Sequence, residues 1–200
     1  MSPAKVTLSA KELELVMDTG WILTKNAIIQ KVYALFGEVS NAYAAALDSY
    51  AMADKELILS LSPKISKGEQ YEGLPWVMLD QPRYYKKEDS FGIRSFFWWG
   101  NGFSITLQLT GRYHQLYAAG ISNYFRNNPE CAKDWLTGIG VDQWEHHFRE
   151  DNYQPVGISQ WAMNDHPFIK LTKRFPFSEW DKMEELLRDG FLEILKMLEK

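Results

Sequence analysis

The chain has 200 residues, 46% of them hydrophobic, with 26 acidic against 22 basic side chains and a net charge of −4. A chain of this size buries roughly 70% of its extended surface, so its core needs no disulfide, and the hydrophobic fraction excludes wholesale disorder. The charge excludes a strongly basic nucleic-acid binder, and the lone cysteine, Cys131, excludes an intrachain disulfide or a cysteine-based zinc site.

From Met1 to Val16 there is no apolar run of signal-peptide length, because Lys11, Glu12 and Glu14 interrupt it. With one thiol and no export signal, the expected location is the cytoplasm. Ser9 and Glu12 form a capping box that opens a helix through about Asp18. After Thr19-Gly20, the residues Ile28, Val32, Leu35 and Phe36 recur at helical spacing, and Val39, Tyr43, Ala46 and Tyr50 continue it. Gly37 either sits inside one long helix, at a cost near ~1 kcal/mol, or separates two. Ser62-Pro63 closes this helical part, residues 9–61. Lys64 to Gly73 is polar and reads as a loop. Trp76 to Asp80 reads as a short strand between Pro75 and Pro82, and Arg83 to Ser90 as an exposed charged segment.

Ile93 to Trp99 and Phe103 to Leu109 flank Gly100-Asn101-Gly102 and predict an antiparallel hairpin at the centre of a strand region, residues 74–111. The uncharged run Ser95 to Gly111 would span roughly 25 Å as a helix, slightly short for a bilayer, and it alternates like a hairpin; no membrane span is expected. Phe103, Ile105, Leu107 and Leu109 point one way and Ser104, Thr106 and Gln108 the other. A three-residue loop pairs Trp99 with Phe103; a two-residue loop shifts the parity of the partner strand. The first is preferred because it sends Ile93 inward and Arg94 outward. Arg94, Phe96 and Trp98 then share a face with Ser104, Thr106 and Gln108, and either a helix covers that face or a ligand does. No acidic residue lies between Asp89 and Glu130, while Arg94, Arg112 and Arg126 give that stretch a charge of +3. Arg94 beside stacked aromatics suits an anionic ligand. A distant carboxylate on Arg94, such as Asp80, would make it structural instead.

The mixed helical part, residues 112–177, opens with a helix from Arg112 to Arg126. Pro129 starts a short helix through Trp135 that ends near Gly138. Asp142 and Glu145 form a second capping box, opening a helix that carries Trp144 and Phe148. Phe168 to Phe175 alternates weakly and is a late strand. Ser178 caps the final helix, residues 178–199, whose stripe is Trp180, Met183, Leu187, Phe191, Ile194 and Leu198. Helices at both ends of a strand region predict a single α+β domain.

No P-loop, G-x-G-x-x-G, G-x-S-x-G or H-E-x-x-H motif is present, so no cofactor is expected. The densest ligand-type cluster runs from Trp144 to Asp151. On a helix His147 and Asp151 lie four apart, as do His146 and Glu150, with His166 and Asp165 as further ligands. Adjacent histidines point about 100° apart, so one metal cannot easily use both. Cys131 sits at a helix start with no catalytic signature around it. Trp21, Trp76, Trp135, Trp161 and Trp180 are dispersed and read as core residues. The function expected is that of a cytoplasmic domain binding a small ligand, an anion in the sharper form, or a protein partner. Arg94, Phe96, Trp98, Thr106 and Gln108 would make the contacts, with neither nucleic acid nor membrane involved. The alternatives are a metal-dependent hydrolase using His147, Asp151 and His166, and an adaptor with no small-molecule site. Oligomeric state stays open.

Overall fold

A computed structural model of the chain describes residues 6–157 and 166–199. Seven strands build one sheet: β1 (Lys64–Tyr71), β2 (Leu74–Tyr85), β3 (Ser90–Trp98), β4 (Gly102–Thr110), β5 (Trp135–Gly138), β6 (Tyr153–Pro155) and β7 (Phe168–Phe175). Their order is β1-β2-β3-β4-β7-β5-β6, and the pairings are antiparallel. The helices are α1 (Ala10–Met17), α2 (Thr19–Ser49), α3 (Lys55–Ile58), α4 (Gly111–Asn127), α5 (Pro129–Ala132) and α6 (Met183–Met197). The expected α+β architecture is therefore found, with helices on one face of the sheet. Among the described residues no helix is long and apolar enough to cross a membrane.

The alternation of β4 decides where the core forms. Phe103, Ile105, Leu107 and Leu109 are buried, as are their partners Phe97, Ile93 and Phe91 on β3 and Leu171 and Ile169 on β7. Against them lie the stripes of α2 (Ile29, Val32, Phe36, Val39, Tyr43, Leu47) and α6 (Met183, Leu187, Phe191, Ile194). Tyr43 stacks on Phe191 with ring centroids 3.9 Å apart, and its hydroxyl reaches Ser95 Oγ at 2.8 Å. Gly37 lies inside one continuous helix: α2 runs 31 residues, about 46 Å.

The hairpin register differs from the expected one. Phe97, not Trp99, faces Phe103, and the loop is Trp99-Gly100-Asn101. The shift is two residues, so every side chain keeps its predicted face. Gly102 makes the tight loop possible: its φ is 124°, and a Cβ there would stand 2.7 Å from the Phe175 carbonyl oxygen.

Five other expectations are corrected. Lys64 to Gly73 is not a loop; most of it is β1, a polar strand at the sheet edge. The Arg83 to Ser90 segment begins as strand, because β2 continues to Tyr85 through a bulge between Asp80 and Arg83. Pro82 sits in that bulge, where no ladder bond is lost. The helix at Pro129 stops at Ala132, and Trp135 belongs to β5, buried, with its indole N–H donated to Glu193 Oε1 at 2.9 Å. No helix starts at Asp142. The N–H groups of His146 and His147, which a helix would direct back along itself, both donate to the Tyr71 hydroxyl, at 2.6 and 2.9 Å. At the C-terminal end Ser178 caps nothing, since a 3-10 turn, Phe177–Lys182, precedes α6. Trp161 and Asp165 lie outside the described residues.

Candidate functional site

The face of the sheet away from the helices carries a row of polar side chains. Register aligns Asp80 on β2, Arg94 on β3, Thr106 on β4 and Thr172 on β7 in one line across four neighbouring strands. All four are buried, beneath the segment that runs from β5 to β6. That segment stays irregular because side chains from elsewhere take its backbone groups. Besides Tyr71, the Asn152 amide donates to the Glu145 and His147 carbonyls, and Lys170 Nζ donates to the Glu145 carbonyl.

Along the row, the partners are internal. Arg94 meets Asp80 in a two-pronged ion pair, Nε to Oδ1 at 2.7 Å and Nη2 to Oδ2 at 3.1 Å. Its Nη1 donates to His146 Nε2 at 2.9 Å, which leaves the imidazole proton on Nδ1, since a guanidinium cannot accept. Burial, together with the charges of Arg94 and Lys170, holds the His146 imidazole well below the usual histidine range, so it is neutral at pH 7. Tyr85 and Trp144 flank the guanidinium, with ring centroids 5.8 and 5.6 Å away, and the Tyr85 hydroxyl donates to Asp80 at 3.3 Å. Further along, Thr106, Thr172 and Tyr153 form a hydroxyl chain with steps of 2.9 and 3.0 Å. Gln108 donates to Gln143 Oε1 at 2.8 Å.

Lys170 lies over the Tyr153 ring, 4.7 Å from its centroid. Burial pulls its ammonium down to about 8. Between there and the ordinary lysine value, the unfolded chain keeps a proton that the folded chain has released, so stability rises with pH. The buried tyrosines, pushed up by burial, oppose this from about pH 9 upward, as unfolded tyrosines begin to ionise, and they do so alike in any variant that keeps them. Relative to Lys170→Met, the wild type is expected to gain about 2 kcal/mol in urea unfolding between pH 8 and 10. The same pH profile in both proteins would contradict it.

Beside the polar row, over β1, β2 and β3, lies an open groove of about 420 Å³. Its walls are Tyr71, Trp76, Met78, Phe96, Trp144 and His146, with Gly68, Glu69 and Gln70 along the β1 side. Gly68 sets the shape: a Cβ there would overlap the Trp76 indole at 2.6 Å, so the indole lies flat across the edge strand. Trp98 backs the groove, packed against Tyr71 with centroids 5.1 Å apart, and its buried indole N–H has no hydrogen-bond partner among the described residues.

Arg94, Phe96, Trp98, Thr106 and Gln108 thus all lie on the face opposite the helices, but only Phe96 lines the groove. Arg94, Thr106 and Gln108 are satisfied by the protein, and the charge that an anion would need from Arg94 is matched by Asp80. The sequence reading assigns Tyr71, Trp76, Met78 and Trp144 to no site and offers His146 only as a metal ligand paired with Glu150. Trp76 and Met78 could have been placed by their strand parity, whereas Tyr71 fell in the stretch read as a loop. Of the metal-ligand candidates, His147 is buried, with Nε2 3.3 Å from Glu145 Oε2 and Nδ1 3.9 Å from Asp151 Oδ1. His166 instead packs on Phe168, with ring centroids 4.2 Å apart. Among the described residues no three His, Cys, Asp or Glu side chains gather to hold a metal ion.

Comparison with protein-family models, with characterised proteins and with solved structures finds no match to this chain.

Proposed function

We propose that the protein is a small-molecule-binding domain and that its ligand is a flat or N-alkylated cation held in the aromatic groove. One observation carries this reading: Tyr71, Trp76, Phe96, Trp144, His146 and the Met78 thioether line the groove, and among the described lining residues Glu69 is the only charged side chain. Ring faces carry the negative end of the aromatic quadrupole, so they attract an ammonium and offer nothing to a carboxylate or phosphate. The Arg94–Asp80 pair is the floor support that holds His146 and Trp144 in place, rather than the ligand's anchor. The cytoplasm is the compartment we assign, from the single free thiol of Cys131.

Benzyltrimethylammonium and benzoate share a ring and differ in charge, which makes them the probes of choice. A ligand of this size is expected to bind with a dissociation constant of about 1 mM. Tryptophan fluorescence should titrate to saturation with the cation, weaken at least about tenfold in Trp144→Ala, and not respond to benzoate at equal ionic strength. Equal responses to both probes, or none to the cation, would sink the proposal.

A further inference from the structure

Before Lys25 no described residue of the chain is buried. The segment is nonetheless built to be helical. Ser9 and Glu12 cap α1 reciprocally, with bonds of 2.7 and 3.2 Å, and Asp18 caps α2 by accepting from the Trp21 N–H at 3.1 Å. An eight-residue helix is not stable in water on its own, so caps alone do not explain it; packing has to. The residues that would pack are apolar: Leu13, Val16 and Met17 share one face of α1, and Trp21 and Ile22 continue the buried stripe of α2 one turn past its last contact with the sheet. Met17 is 73% exposed, Leu23 64% and Trp21 52%.

We infer that this N-terminal arm is a self-association surface, and that its occupant is the arm of a second copy of the chain. Area supports a second copy. The nine large exposed apolar residues between Val6 and Leu23 present about 1,000 Å², and covering two thirds of that in both copies buries about 1,300 Å², the size of a stable interface. Charge supports it too. Glu12 is taken by its cap, and the remaining Lys11 and Glu14, 3.5 Å apart, can exchange partners when two arms pair antiparallel about a two-fold axis. A lipid surface fits less well, because Val6 to Leu23 carries one basic residue against three acidic ones, the reverse of a membrane-lying helix.

Sedimentation equilibrium on the full chain tests this from micromolar to ~100 μM, the range in which an interface of this size associates. The expected species has twice the 23.3 kDa chain mass. Val16→Glu combined with Met17→Glu should weaken the dimer at least about tenfold while leaving circular dichroism in the near ultraviolet unchanged, since neither side chain is buried. Leu192→Glu, an exposed apolar position on α6, should leave the dimer intact. A wild type that stays monomeric throughout, a dimer indifferent to the Val16 and Met17 changes, or a monomer that instead pellets with phosphatidylcholine–phosphatidylserine vesicles would each overturn the inference.

Discussion

Asp80→Leu is expected to destabilise the protein by about 3–5 kcal/mol, because it strands the buried Arg94 guanidinium without its counter-charge. Arg94→Met should cost a similar amount, leaving the Asp80 carboxylate with only the Tyr85 hydroxyl of its present side-chain partners. The two losses should not add. With both partners replaced by apolar groups of similar volume, neither charge is stranded, and the double variant should recover more than half of either single loss. High salt should change these values little, since the pair is screened by protein rather than solvent. Guanidinium-free denaturation by urea, run as a double-mutant cycle, measures all three. Additive losses, or a single loss below about 1 kcal/mol, would show that the pair does not hold the open face together.

Leu107→Ala is the second large effect, expected at about 2–5 kcal/mol. Leu107 has no exposed surface, and it sits at the centre of the sheet between Ile93 on β3 and Leu171 on β7. The helices above it are tied to one another as well as to the sheet, so the site cannot collapse easily. A loss below about 1 kcal/mol, measured in the same urea experiment, would place the side chain outside the core.

What could be read in advance follows from where one physical signal dominates. The β4 alternation stands because a one-residue slip would bury Ser104, Thr106 and Gln108 against the helices; the two-residue slip that did occur carries no such cost. The stripe of α2 is equally plain, and Gly37 does not break it because thirty other residues support the helix. The polar strand β1 was illegible for a different reason. Its residues are exposed or only half-buried at the sheet edge and mostly polar, so the backbone pairing to β2 forms it, not a hydrophobic pattern. The segment after Asp142 shows the same limit in reverse. Asp142 Oδ1 accepts from the Trp144 N–H at 2.8 Å, a local bond shared by helix caps and by turns. What decides between them is Tyr71, about 75 residues away, whose hydroxyl takes the next two N–H groups. Most of the groove lies at that junction of β1 with the β5–β6 segment. The Asp80–Arg94 pair was foreseen only as an alternative, since adjacency across β2 and β3 depends on the bulge at Pro82.

The most direct test of the groove as a binding site is a methionine-methyl NMR titration with benzyltrimethylammonium. Met78 lines the groove, whereas Met183 and Met197 are buried on the helix side of the sheet, and Met78→Leu assigns the reporting signal. The Met78 methyl resonance should move progressively and saturate as the probe ring enters, with Met183 and Met197 unmoved and benzoate without effect. A Met78 signal that stays still, or that moves alike for the cation and the anion, would contradict the account.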